Sequence, residues 1–381
     1  MSRRSQKLVE YGKPLLLVRE QVPTAPPEAA LWCRVSNILV EWDESEAKHV
    51  AFAGVCHSDV HAADGLAIQA KPPIILGHEI SGTVRDLDPG VKSDVEVGDR
   101  VVVYSMGGCS ACSRCAEGRP IDCLNNVRNV NGAFIDGGFS DYVVCHDARL
   151  LLKVPDSIGM DTACLLPCSG LTAYNAVTKI VPTVADFARH TDNCAVLLVG
   201  AGGLGLWAVQ IAKQLLPSSV RLVCADVDVD KLASAKDAGC DVTVHWGKGE
   251  NERPLVAATR KACGASRCAV AAIDFVNLPE TFSRVERILA PGGIHAMVGI
   301  MAKPGVAGTI PLTPFVLTNH TLTAVAVGRV QQLGEVMALV ASGKIKPPPI
   351  SHHPLESAWD VIQKLKAGKV KGRAVLKLSK L

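Results

Sequence analysis

The chain has 381 residues, 48% of them hydrophobic and 20% charged, with 40 Lys+Arg against 37 Asp+Glu. That length exceeds one comfortable hydrophobic core and suits two domains. The near balance of charge and an aromatic content of 4% leave no basis for nucleic-acid binding or for attraction to an anionic membrane.

No stretch approaches the roughly 20 apolar residues that span a bilayer. The first twenty residues contain only the short apolar run Leu15 to Val18, far from a secretory core, and Glu10 and Glu20 interrupt any basic transit helix. A cytoplasmic protein is expected, with its fourteen cysteines mostly reduced.

Up to about residue 170 the chain is punctuated by Gly, Pro and Asp. Strands are predicted over 80–87, 99–105 and 139–145, in a compact, mostly β domain. Inside it Cys109, Cys112, Cys115 and Cys123 follow a C-x2-C-x2-C-x7-C spacing. Such gaps let thiolates converge on one tetrahedral ion, and glycines at 107, 108 and 118 allow the turns this needs. A disulfide cluster is the other reading; reduced surroundings make metal the better one. Four thiolates leave no open position, so this metal would be structural.

From about 194 to 300 the rhythm becomes apolar strand, helix, apolar strand. The strands are CAVLLV, VRLVCAD, VTVH, AVAAIDFV and GIHAMVGI; the helices are GLWAVQIAKQLL, DKLASAKDAG and a long one from Pro279 to Gly293. This alternation indicates a parallel sheet covered on both faces. The run Gly200-Ala201-Gly202-Gly203-Leu204-Gly205 matches G-x-G-x-x-G between a strand and a helix, and Asp226 ends the next strand. Glycine turns let a pyrophosphate approach the N–H groups of a helix N-terminus. An acid at the second strand's tip holds both ribose hydroxyls and repels a 2′-phosphate, which favours NAD over NADP. A glycine-rich loop serving only the turn is the alternative. The chain ends in a predicted helix (LESAWDVIQKLKAG) and the strand RAVLKL.

A second constellation lies outside the four-cysteine lobe. Cys56 in CHSDVH, His78 in GHE and Cys168 in LPCSG can supply two thiolates and one imidazole. That set leaves a fourth zinc position open, where a metal lowers the pKa of bound water or alcohol. Singly, such a histidine is more often a satisfied structural residue.

The pieces AGVCHSDVH, LGHEISGTV, the four-cysteine lobe, CSGLTAYNAV, VGAGGLGLWAVQIAK and KGRAVLKL, in this order, resemble the zinc-dependent alcohol dehydrogenases of the medium-chain dehydrogenase/reductase family. The resemblance covers most of the chain. It implies a Rossmann NAD-binding domain (170–326) inserted in a GroES-like catalytic domain (1–169 with 327–381) that carries the structural zinc lobe at 107–124, with the active site between them. It further implies two Zn2+ per chain, with Cys56, His78 and Cys168 on the catalytic one. Glu79 would be a carboxylate beside that zinc, and Asp59 would orient the histidine ligand. Ser58 and His61 would relay the proton, and His57 and Arg373 would neutralise the pyrophosphate. A turn residue, an exposed helix residue and a solvated strand-end charge are the plain readings of Ser58, His61 and Arg373. The other cysteines, Cys33, Cys145, Cys164, Cys194, Cys224, Cys240, Cys263 and Cys268, read as small buried side chains.

The expected activity is NAD-dependent oxidation of a primary or secondary alcohol to an aldehyde or ketone. A polyol or amino-alcohol dehydrogenase, the family's zinc-free reductases, and a non-catalytic nucleotide-binding zinc protein are the rivals. The family's habit of extending its Rossmann sheet implies a homodimer or homotetramer, and TLTAVAVG suits such an edge. The chain departs from the family's pattern between residues 31 and 55, where it is longer by roughly 15 to 20 residues than family members usually are, beyond a normal connection in a compact domain.

Overall fold

A computed structural model describes residues 2–21, 38–41, 51–66, 70–87, 91–247, 249, 251–300 and 306–378. Apart from 38–41 and 51–55, the long stretch between residues 31 and 55 lies outside the described residues, and so does Cys33. The chain forms two compact units. One comprises Met1–Leu171, Arg329–Gly343 and Pro349–Leu381; the other comprises Thr172–Gly328 and Lys344–Pro348. The expected division kept 327–381 whole. Lys344–Pro348 instead joins the second unit, where the Gln210 side-chain amide donates to Lys346 O and accepts from Lys346 N, both at 2.9 Å.

In the first unit an eight-stranded sheet dominates. Its main path runs Tyr142–Cys145, Ile38–Glu41, Glu79–Leu87, Phe52–Val55, Arg373–Lys377 and Ile350–Pro354. Arg100–Val103 pairs with Glu79–Leu87 and with Leu151–Lys153. Val55, Ile80, Val101, Val103, Phe139 and Leu376 are buried in one continuous core with Val361 and Ile362 of the helix Ala358–Lys366. Each such apolar side chain contributes about 1.5–3 kcal/mol by leaving water. The Ile38–Glu41 strand places part of the extra stretch inside the sheet, between Tyr142–Cys145 and Glu79–Leu87.

The second unit is a six-stranded sheet, every pair of it parallel. Its order is Val242–His245, Arg221–Asp226, Ala195–Val199, Ala269–Asp274, Leu289–Met297, Thr321–Ala324, which in chain order reads 3-2-1-4-5-6. That is the Rossmann order, reversing direction at Ala195–Val199. Ala195–Val199 is buried throughout, as a strand covered on both faces requires.

Two expectations change. The helix at Pro279 stops at Glu286, and Leu289–Met297 is a strand. Pro291, Gly292 and Gly293 cannot sustain a helix, with Gly292 at φ +78°, and Ala269 N–H donates to Ile288 O at 3.0 Å as the chain turns back to the sheet. The helix Leu171–Ala188 has no counterpart among the predicted elements; it contains Pro182, which reads as a breaker in sequence. Among the described residues no helix is long and apolar enough to cross a membrane.

Candidate metal and dinucleotide sites

The strand Phe52–Val55 delivers Cys56 to the N-cap of the helix His57–Ala63. Asp59, in the helix's first turn, turns its carboxylate back. Oδ2 accepts from Cys56 N at 2.8 Å, and Oδ1 accepts from Gly77 N at 3.2 Å. The same Oδ1 lies 3.5 Å from His78 Nδ1. One buried carboxylate thereby fixes two segments and one imidazole. Gly77 sits at φ +95°, and a Cβ there would come 2.4 Å from the Phe139 ring, so only glycine makes this turn.

With Nδ1 facing Asp59, the other ring nitrogen of His78 points at Cys168, Nε2 to Sγ 3.4 Å. Cys168 comes from a widened helical turn, Leu166–Gly170, in which Gly170 N–H reaches back five residues to Leu165 O at 3.1 Å. Such turns re-aim side chains and recur at functional sites. One ligand atom from each of Cys56, His78, Glu79 and Cys168 lies within 4.8 Å of the others. Cys56, His78 and Glu79 are buried, and Cys168 is half-buried.

The electrostatics fit a cation. The Cys168 side chain holds the Cys56 thiol well below its ordinary range, against burial, and His78 and Arg373 add to the effect. Cys168 is driven well above its range by the same contact and by burial. Burial opposes charge on His78, yet Asp59 and Cys56 outweigh it and raise its pKa well above normal. Burial pushes Glu79 up to about 7 against the pull of Arg373. Arg373 Nη2 donates to Glu79 Oε2, whereas Oε1 is buried with no hydrogen-bond partner. An electron-rich set of two sulfurs, one imidazole nitrogen and an unsatisfied carboxylate oxygen matches zinc, and its thiolates disfavour magnesium or calcium.

Cys109, Cys112, Cys115 and Cys123 also converge, with their four sulfurs within 4.8 Å of one another. Cys112 and Cys115 Sγ are 3.5 Å apart, and Cys109 and Cys115 Sγ 3.9 Å, far beyond the disulfide length of about 2.05 Å. Backbone N–H groups of Cys115 and Leu124 draw the Cys112 thiol down to about 6, while burial pushes Cys115 up to about 12. Cys109 Sγ accepts from Cys112 N and from Asn125 Nδ2, each at 3.3 Å. Among the remaining described cysteines Cys145, Cys164, Cys194, Cys224, Cys240 and Cys263 are buried as expected; Cys268 is half-buried.

In the second unit the loop after Ala195–Val199 opens the helix Gly203–Leu215, whose N-cap Gly202 offers no side-chain acceptor. A Cβ on Gly205 would lie 2.0 Å from Gly200 O, so the fourth glycine lets helix and loop touch. Asp226 stands at the tip of the neighbouring strand. Its Oδ2 accepts from Ala201 N at 2.6 Å and its Oδ1 from Asp228 N at 2.9 Å, bracing the loop. The uncapped N-terminus of a 13-residue helix beside that carboxylate fits a dinucleotide.

Ser58 Oγ lies 3.9 Å from Cys56 Sγ, next to the cluster. His61 is half-buried on the same short helix, its ring centroid 6.4 Å from that of exposed His57. Arg373 is 5% exposed and paired with Glu79, which rules out a solvated strand-end charge. Sequence reading missed this pair, the donor Asn125, and Ser105, whose hydroxyl donates to His78 O. The first joins residues 294 positions apart, and no local pattern signals it.

A parallel sheet with a glycine-rich phosphate turn, joined in one chain to a β unit holding a Cys-His-Cys pocket and a four-thiol lobe, defines a metal-dependent dehydrogenase architecture. Residues 48–156 match the alcohol dehydrogenase GroES-like domain family, and residues 203–342 match the zinc-binding dehydrogenase family. An alcohol dehydrogenase of Geobacillus stearothermophilus is 31% identical over 85% of this chain and 89% of its own length. An NAD-dependent alcohol dehydrogenase of Sulfurisphaera tokodaii is 31% identical over 98% of this chain and 99% of its own. The crystal structure of the Aeropyrum pernix alcohol dehydrogenase superposes with a TM-score of 0.81 at 29% identity, covering 98% of this chain and 100% of that one. The chain belongs to the zinc-type alcohol dehydrogenases of the medium-chain dehydrogenase/reductase family.

Proposed function

We propose that the chain is an NAD-dependent zinc enzyme that oxidises a primary or secondary alcohol to an aldehyde or ketone, using Cys56, His78 and Cys168 to hold the catalytic ion. The observation that carries this reading is the convergence of those three side chains with Glu79 inside 4.8 Å, because two thiolates and one imidazole leave a coordination position for substrate. A zinc ion held by these residues would lower the pKa of an alcohol oxygen, and bound NAD would take up the hydride released from the carbon bearing that oxygen.

The residues of the chain have separate tasks in this proposal. Asp59 holds the His78 ring with Nε2 toward the sulfurs, and Cys56 and Cys168 set the charge of the site. Ser58 takes the hydroxyl proton, and His61 passes it to solvent. Gly200, Gly202, Gly203, Leu204 and Gly205 cradle the pyrophosphate, with His57 and Arg373 offsetting its charge. Asp226 takes the ribose hydroxyls and selects NAD. Cys109, Cys112, Cys115 and Cys123 hold a second, structural zinc.

Localisation in the cytoplasm and assembly into a homodimer or homotetramer belong to the same proposal. The strand Thr321–Ala324 is an edge of the six-stranded sheet, and Leu312, Val316 and Leu317 just before it are 74%, 74% and 80% exposed, an apolar surface suited to a second copy. A carbohydrate substrate has one specific support, pointing to an aldose rather than a polyol: a relative 31% identical over 89% of this chain is a D-arabinose 1-dehydrogenase (NADP(+)) of Saccharolobus solfataricus.

Native mass spectrometry and an NADH-formation assay test the proposal together. Two zinc ions per chain are expected, falling to one in Cys56→Ala with turnover lost. A panel of simple secondary alcohols, sorbitol, arabinose and threonine, assayed with NAD and with NADP, separates the substrate readings. One zinc in the wild type, or unchanged turnover in Cys56→Ala, overturns the assignment.

A further inference from the structure

Three adjacent strands lie beneath the carboxylate that stands among the metal ligands. Phe52–Val55 is the middle one, flanked by Glu79–Leu87 and Arg373–Lys377, with Gly54 directly opposite Glu79 on one side and Val375 on the other. Neighbouring strands run about 4.8 Å apart, so Glu79 and Arg373 depart from strands about 10 Å apart. Their side chains nonetheless meet, and they do so across the middle strand.

Gly54 occupies the point of crossing. A Cβ placed on it would lie 2.0 Å from Glu79 Oε2, 2.9 Å from Glu79 Cβ and 2.9 Å from Leu165 Cδ2. No positive φ accompanies this, so the backbone does not require glycine for its conformation; the requirement is for space. Oε2 is the oxygen bound by Arg373, and Oε1 is the buried oxygen without a partner.

We infer that Gly54 is a positioning residue for the metal site: the missing side chain is the gap across which Glu79 is tethered to Arg373, so that one carboxylate oxygen stays available to the metal while the group is held back from closing its open position. A side chain at 54 displaces the carboxylate from the guanidinium and changes what surrounds the ion. The inference rests on the metal reading of Cys56, His78 and Cys168.

The test uses Gly54→Ala in the full chain loaded with cobalt(II), whose visible bands report coordination number and ligand set. The four-cysteine site contributes the same background in both proteins. The variant is expected to show altered band positions and intensities, with cobalt affinity at the Cys-His-Cys site changed by about tenfold or more. A folded variant with the wild-type spectrum and affinity overturns the role of Gly54. If Gly54→Ala does not fold, melting of Glu79→Gly is compared with that of Gly54→Ala/Glu79→Gly. Equal melting temperatures support the inference, because Glu79 then accounts for the space and the Leu165 methyl group yields; a further large drop in the double variant assigns the space to packing against Leu165 and overturns it. Wild-type protein that takes up one cobalt per chain defeats the metal reading itself, a result separate from any effect at Gly54.

Discussion

A carboxylate has two oxygens, and Asp59 spends them on three partners: the N–H of Cys56, the N–H of Gly77 and the Nδ1 side of His78. Removing it frees the imidazole to rotate and loosens the turn that presents Cys56. Asp59→Ala is therefore expected to weaken metal binding at this site about 10–100-fold, measured by competition with a chelator, while the four-cysteine site keeps its ion. Asp59→Asn, which keeps an acceptor oxygen but no charge, is expected to lie between. The convergence of Cys56, His78 and Cys168 was legible at this scale, since sulfur and imidazole in such spacings have few other uses. Their supports were not. Ser105, Asn125 and the Arg373 partner of Glu79 are ordinary polar residues whose meaning comes from where the fold carries them.

Between residue and domain, the strand–turn–helix of the Rossmann unit shows how a spacing becomes a contact. Gly205 faces Gly200 O so closely that a methyl group would sit at 2.0 Å, and the atom it meets is backbone, which cannot swing aside. Gly205→Ala must push the helix Gly203–Leu215 away from the strand Ala195–Val199. A cost of about 1–3 kcal/mol is expected, seen as a lower melting temperature and weaker NAD binding with both metals retained. Full NAD affinity in the folded variant would mean that the close approach serves packing alone. The apolar strands and glycine turn were readable because burial on both faces forces a continuous hydrophobic run. Helix ends were less so. Apolar residues suit a helix and a buried strand alike, so Ile288 to Ala290 read as helix until Pro291, Gly292 and Gly293 are weighed. The widened turn bearing Cys168 left no trace, since it differs from an ordinary helical turn by one residue in its hydrogen bonding.

Over the whole molecule, order along the chain identified a β unit interrupted by a parallel-sheet unit, yet the pairings that close the first unit span almost its full length. Arg4 Nη2 reaches Leu378 O across 374 positions, and Gly54 pairs with Val375. Periodicity cannot register contacts of that separation. Charge distribution at the same scale gives a prediction for acid. Glu20 and Asp147 in the first unit, and Asp241 and Glu286 in the second, are each pushed upward by burial but held below their ordinary values by partners. Those partners are Lys7 and Arg3 for Glu20, Arg149 for Asp147, Lys213 for Asp241, and His295 with His320 for Glu286. A carboxyl with a depressed folded pKa contributes its full stability above the unfolded value, and loses it as pH falls through the folded value. The urea midpoint should accordingly be flat with respect to these groups from pH 7 to about 5, then decline as the pH falls below the ordinary values of 4.5 and 3.8. Glu286 is the most informative member, because each of its oxygens faces one imidazole, at 2.9 and 3.0 Å. Glu286→Gln cannot titrate and keeps one acceptor oxygen. It should be less stable than wild type at pH 7 and should lose less of its urea midpoint between pH 5 and 3, so that the two curves converge in acid. Parallel curves across that interval would mean that Glu286 has the same pKa in the folded and unfolded chain, and that acid sensitivity arises from the other carboxylates.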